Sequence, residues 1–216
     1  MNDPPVVAPP VLPIRRSNRG TNPLYWAPTT HRGSAMVTSY DRGLTSRMIR
    51  AAQLQESLYE EVERDRGASG QAAQVVLIAA AAGAIATLIS SPSVRGIGAA
   101  LLSIALAVVG WVIWSYLTYW VGTTFFKTEQ TRVTPGEMLR TIGFSHAPGV
   151  LRVFTFIPVL GALIALVVGI WQLVAGVIAV RAAMDFDTGR AIATVVVGWL
   201  IQFIVTVVLF GIVLSV

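Results

Sequence analysis

From Gln71 to the end of the chain, long apolar runs alternate with short loops, and those loops hold nearly all the nearby arginines. Gln71–Ser90 contains VVLIAAAAGAIATLI, Ile97–Phe126 carries no charge, and Ala191–Val216 is uncharged throughout. Runs near twenty residues match a hydrocarbon layer of about 30 Å at ~1.5 Å per helical residue. With 54% hydrophobic and 12% charged residues, the chain lies far from a globular balance of about a quarter charged. The pattern predicts an all-α, polytopic membrane protein.

The first two spans fall at roughly Ser69–Ile89 and Ile97–Thr123, joined by a Ser91-Pro92-Ser93 turn, and the last runs from about Gly189 to Leu214. Thr141–Met184 holds either two spans or one span and a surface helix, with Ile157-Pro158-Val159-Leu160-Gly161 at its centre. Arginine placement favours five spans with the N-terminus cytoplasmic. Lys127, Arg132, Arg140, Arg181 and Arg190 then share the inside with Arg64 and Arg66, against Arg95 alone outside. Thr134-Pro135-Gly136-Glu137 has capping-box spacing, so a helix is expected to start near Pro135 and run on as the third span. Asp187 or Thr188 can cap the fifth.

Three regions follow: a Pro/Arg-rich arm over 1–44, an amphipathic juxtamembrane helix over 45–67, and the bundle over 68–216. The arm has prolines at 4, 5, 9, 10 and 13, with Pro10 and Pro13 framing a PxxP. It reads either as a solvated tail or as an arm laid across a partner, with Tyr25 and Trp26 as anchors. No secretory signal peptide is expected in Met1–Gly20. In 45–67, Met48, Ala51, Leu54, Leu58 and Val62 recur at helical steps. Its basic start (Arg42, Arg47, Arg50) and acidic end (Glu56–Asp65) offer a binding platform, or the helix is simply a structural brace. Alternatively it lies in the headgroup plane and handles or shapes lipid.

The net charge of +5 is explained by orientation and headgroups, so no nucleic-acid partner is expected. There is no Cys, which excludes thiol chemistry, and no HExxH, GxSxG or Walker loop. Neither histidine has a metal-ligand companion at the usual spacing. No catalytic centre, cofactor or metal is therefore expected. Arg152 stands out as a charge inside the third span: it marks a functional position, or it snorkels to the interface near Pro158. His146 is a packing residue or lies with Arg152 on a transport path. Arg181 and Asp185 are spaced for an ordinary i,i+4 pair.

Leu58-Tyr59-Glu60-Glu61-Val62, then Gly70-Gln71-Ala72, two spans, and Leu139-Arg140-Thr141-Ile142-Gly143-Phe144-Ser145-His146-Ala147-Pro148 resemble the YIP (Ypt-interacting protein) domain family. Ile170-Trp171, Arg181-Ala182-Ala183 and Thr188-Gly189-Arg190-Ala191 continue the likeness, which covers about Met48–Leu214. Gly143, Phe144, Pro148 and Trp171 carry most of it. The resemblance implies a five-span bundle with a cytoplasmic N-terminus. Eukaryotic members of that family act in vesicle trafficking and contact prenylated small GTPases, but their Asp-Leu-Tyr-Gly-Pro motif is absent here, where Leu58-Tyr59 is followed by Glu60-Glu61. Composition rich in Ala, Val, Gly and Arg over Lys fits a prokaryotic-type member in a bacterial inner membrane.

The expected function is a non-enzymatic membrane scaffold or accessory subunit, in contact with the bilayer, with other membrane subunits and with a cytoplasmic-side partner. A homo-oligomer is the alternative assembly. The alternative function is a small transporter or channel with Arg152 and His146 on the path.

Overall fold

The structure, a computed structural model, describes residues 42–214. The arm residues Pro10, Pro13, Tyr25 and Trp26 lie outside that range. The described chain is all-helical: α1 (Leu44–Ala52), α2 (Glu56–Arg64), α3 (Ala68–Ser90), α4 (Val94–Phe125), α5 (Pro135–Phe144), a 3₁₀ helix (Ala147–Phe156), α6 (Leu160–Met184) and α7 (Thr188–Leu214). Four of these, α3, α4, α6 and α7, are long and apolar enough to cross a membrane.

Their boundaries follow from capping chemistry. The Ser93 hydroxyl accepts from the Gly96 amide at 3.1 Å and starts α4. Asp187 accepts from the Arg190 amide at 3.0 Å, which makes it the N-cap of α7. At α5 the full box forms: the Glu137 amide donates to Thr134 Oγ1 at 3.3 Å, and the Thr134 amide to Glu137 Oε2 at 2.7 Å.

Two elements differ from the sequence expectation. The juxtamembrane helix is two helices, broken at Gln53–Gln55, where Leu54 takes φ 59°. An unbroken helix would hold Arg47 and Glu61 about 21 Å apart; the reversal brings them to 2.7 Å. The third apolar run is likewise not one α-helix. Pro148 has no amide to donate, and its ring would meet the carbonyl of Phe144, four residues back. The α-helix ends at Phe144, and the chain continues as the tighter 3₁₀ helix. Ser145 Oγ, at 2.7 Å, and His146 Nδ1, at 2.9 Å, both gather on the Ile142 carbonyl at this junction.

Together α5 and the 3₁₀ helix form a composite rod laid parallel to α3. A Cβ on Gly143 would lie 2.7 Å from Ala72 Cβ, one on Gly149 would lie 2.9 Å from Ala79 Cβ, and one on Gly83 would lie 4.0 Å from Arg152 Cβ. Contact therefore advances along both elements in step. The rod turns into α6 at Ile157–Val159, with Val159 at φ 64°. Gly161 is required there, because a Cβ would sit 2.1 Å from the Thr155 carbonyl oxygen.

Burial is uneven along the bundle. Ala51, Leu58, Tyr59 and Val62 of α1–α2 form one core with Ala72, Val75, Met138, Ile142, Phe144, Ala179, Met184, Ala191 and Val195. These positions place the start of α3, α5 and α7 and the end of α6 at the α1–α2 end. In the other half, Leu101, Leu102, Leu106 and Val109 of α4 are exposed, as are Trp199, Leu200, Phe203 and Ile204 of α7. Such faces suit lipid rather than water.

Candidate functional site

Two groups of polar side chains are set against these apolar helices, one at each half of the bundle. The first ties α1–α2 to the bundle. Arg47 is 1% exposed. Its guanidinium donates to Glu61 Oε1, Asp65 Oδ2 and Gln71 Oε1 at 2.7–2.8 Å, linking α1, α2 and α3. Arg50 donates to the other Glu61 oxygen at 2.6 Å. Arg140 of α5 donates to the Val62 carbonyl at 2.9 Å and to the Glu63 carbonyl. Those carbonyls end α2 and have no intrahelical donor, so Arg140 serves as its C-terminal cap. Trp171 Nε1 of α6 does the same for α1, donating to the Ala52 carbonyl at 2.8 Å. Arg181 of α6 reaches Glu56 at 2.5 Å.

The charges of this cap neutralise one another. Burial would raise the Glu61 carboxyl, but hydrogen bonds from Arg50 and Arg47 bring it below the ordinary value. Asp65 is also lowered, chiefly by its bond from Arg47. Glu63 goes the other way, to about 7, because it is desolvated and faces the Asp185 and Glu137 carboxylates. The basic and acidic ends that the sequence offers as a platform are thus folded onto each other. Arg181 takes Glu56, 125 residues away, rather than the Asp185 that its spacing suggested. Asp185 is the left-handed C-cap of α6, at φ 52°.

The second group runs from the middle of α6 toward the far half. Arg152, on the 3₁₀ helix, is exposed. It does not run outward past Pro158; its guanidinium turns back and donates to Gln172 Oε1 at 2.7 Å. Gln172 Nε2 in turn donates to the His146 carbonyl at 3.2 Å. Arg152 and His146 are therefore brought together, but through a residue the sequence reading did not single out. Gln172 was legible in principle, as the one amide in the apolar run of α6. Beside it, a cavity of about 220 Å³ is lined by Trp114, Ser145, His146, Gly169, Gln172 and Gly176, among others. A Cβ on Gly169 or Gly176 would meet nothing within 4 Å.

The remaining candidates have packing roles. Gly143 permits contact with Ala72, Phe144 is 0% exposed, and the buried Pro148 ends α5. Arg47, Arg50 and Arg140 were missed as buried partners, because nothing in a spacing of 14 or 78 residues announces a contact. Among the described residues, no three His, Cys, Asp or Glu side chains are placed to hold a metal ion.

A comparison with curated proteins and one with solved structures each gave no match. The sequence model of the Yip1 domain matches residues 56–210, from the first residue of α2 almost to the end of α7. That stretch includes Gly143, Phe144, Pro148 and Trp171, whose packing and capping roles are now in view, and this integral membrane protein belongs to the Yip1 domain family.

Proposed function

We propose that the protein is a non-enzymatic membrane scaffold or accessory subunit, with five spans and a cytoplasmic N-terminus, in a bacterial inner membrane. The observation that carries this reading is the cap. Arg47, Arg140, Trp171 and Arg181 tie α1–α2 to α3, α5 and α6, so a partner seated on α1–α2 would be coupled to the membrane helices. Such a device anchors one protein to others. The arm over 1–44, with Pro10, Pro13, Tyr25 and Trp26, is the proposed handle for a cytoplasmic-side partner, and the apolar faces of α4 and α7 would meet lipid, other membrane subunits or a second copy.

Five spans follow if the composite rod crosses. Ten α-helical residues give ~15 Å and ten 3₁₀ residues ~20 Å, together enough for a layer of about 30 Å. The parallel course beside α3 supports this. All the basic residues of the loops, apart from Arg95, then fall at the α1–α2 end, as the positive-inside bias requires.

The chain contains no cysteine, so single-cysteine labelling can read the topology without background. Cysteines at Ser57, Thr128 and Thr188 should be labelled from the cytoplasmic side only, and cysteines at Ser93 and Val159 from the opposite side. Labelling of Val159 from the cytoplasmic side would replace the crossing with a re-entrant hairpin. For the scaffold itself, the full chain is purified from native membranes in mild detergent, with and without residues 1–40. Defined membrane subunits in fixed ratio, released when the arm is deleted, are expected. Recovery of the chain alone or as a plain homo-oligomer would sink the scaffold reading.

The link between Arg152, Gln172 and His146 favours a second reading, a small transporter. Against it, the contiguous core around Ile142, Phe144, Met184 and Val195 fills the α1–α2 half with apolar side chains.

A further inference from the structure

Among the described residues, Arg152 is a charge without a counter-charge. Its Cβ packs at Gly83, seven residues or about 10 Å from the far end of α3. Its partner Gln172 is twelve residues, about 18 Å, into α6, near the middle of that helix. Among the described residues every carboxylate (Glu56, Glu60, Glu61, Glu63, Asp65, Glu129, Glu137, Asp185 and Asp187) lies on α1–α2, on their connection to α3, or in the loops and helix start at that same end. None of the ion pairs formed there includes Arg152. A guanidinium keeps its charge and has five donors, of which one is committed to Gln172. A cation in hydrocarbon without an anion costs several kcal/mol.

Three further features define what would supply that anion. Gln172 is held by its bond to the His146 carbonyl, so its oxygen is fixed toward Arg152 before any ligand arrives. Room exists on the His146 side of Gln172, in the 220 Å³ cavity that Gly169 and Gly176 leave open; Arg152 itself does not line it. The approach is apolar: Val150, Leu151 and Phe154, on the same 3₁₀ helix as Arg152, are all exposed. An ion arriving from water would have to cross hydrocarbon, whereas an amphiphile brings its charge and its chains together.

We infer that Arg152 and Gln172 form an intramembrane anion site that takes the phosphate of an anionic phospholipid from the leaflet opposite α1–α2, with room for part of the lipid in the cavity beside Gln172. The phosphate oxygens accept from the free guanidinium donors, a charge-assisted and geometrically forked contact. The site rests on the third span crossing the membrane, which the cysteine labelling tests separately, and it does not depend on the scaffold reading.

The test uses the full chain in detergent and in phosphatidylcholine nanodiscs, with phosphatidylglycerol as probe. Native mass spectrometry should show one phosphatidylglycerol retained per chain, and titration should raise the thermal midpoint. Arg152→Gln should weaken retention by about tenfold or more, and Arg152→Lys by less, since an ammonium keeps the charge and loses the fork. Gly169→Leu, which fills the open space without touching Arg152, should also weaken it. In phosphatidylcholine alone Arg152→Lys and Gly169→Leu should keep the wild-type midpoint, and Arg152→Gln should equal or exceed it because an uncompensated cation is removed; retention is therefore compared among variants whose midpoint is not lowered. Equal retention by wild type and Arg152→Gln would mean annular lipid only and would overturn the site. An equal midpoint shift from inorganic phosphate would make the ligand a free ion rather than a lipid. A photo-crosslinker at Val150 that captures a protein helix in place of lipid would assign the counter-charge to a partner subunit.

Discussion

At the α1–α2 end, Arg47 is 1% exposed and meets two carboxylates and an amide, whereas in the far half Arg152 is exposed and meets one neutral amide. Near the cap, Gly143 lies so close to Ala72 that a Cβ has no room, while Gly169 in the far half has open space around it. One end is closed and internally neutral; the other is open and electrostatically unfinished. Stability should therefore concentrate at the cap, and recognition of a ligand in the far half, since a site that must admit another molecule cannot be filled by its own chain.

The largest effect is expected from breaking the cap's central arginine. Arg47→Met should cost about 3 kcal/mol or more, because Asp65 loses its arginine, Gln71 loses its donor and Glu61 keeps only Arg50. Denaturant unfolding in detergent measures this, and Arg47→Lys should recover only part of the loss. Next, Gly143→Ala should cost about 1–3 kcal/mol through overpacking against Ala72, while Gly169→Ala should be neutral to slightly stabilising, within about 1 kcal/mol. Equal losses at both positions would erase the contrast between the halves.

A smaller effect depends on pH. Glu63 has a folded-state value of about 7 against an ordinary 4.5, so its contribution favours folding below about pH 4.5 and is lost as pH rises through 7. Glu63→Gln should raise the thermal midpoint at pH 8 by about 1–3 °C, discounted for partial exposure, with a much smaller gain at pH 5. Glu61 and Asp65 have the opposite sign: their lowered values favour folding above the ordinary carboxylate range, and that stability is lost as acid protonates them. The smallest effect should come from the exposed i,i+4 pair of Arg64 and Glu60, where Arg64→Ala should shift stability by less than about 0.5 kcal/mol.

The sequence by itself determined the all-helical membrane class, the bounds of α3, α4 and α7 to within a few residues, and the cap at Thr134, and it narrowed the cap of α7 to Asp187 or Thr188. These depend on unbroken apolar length and on side chains that bond their own near neighbours, and both are written locally. The sequence also marked Arg152 as a charge in an apolar run. Only the tertiary structure decided the reversal at Leu54, the pairing of Arg47 with Glu61, the capping of α2 by Arg140, and the choice of Gln172 over the interface by Arg152. Each joins groups between 14 and 78 residues apart, or sets a backbone angle that no local preference demands. Such contacts form because a charge or carbonyl moved out of water must find a partner wherever the packed helices bring one.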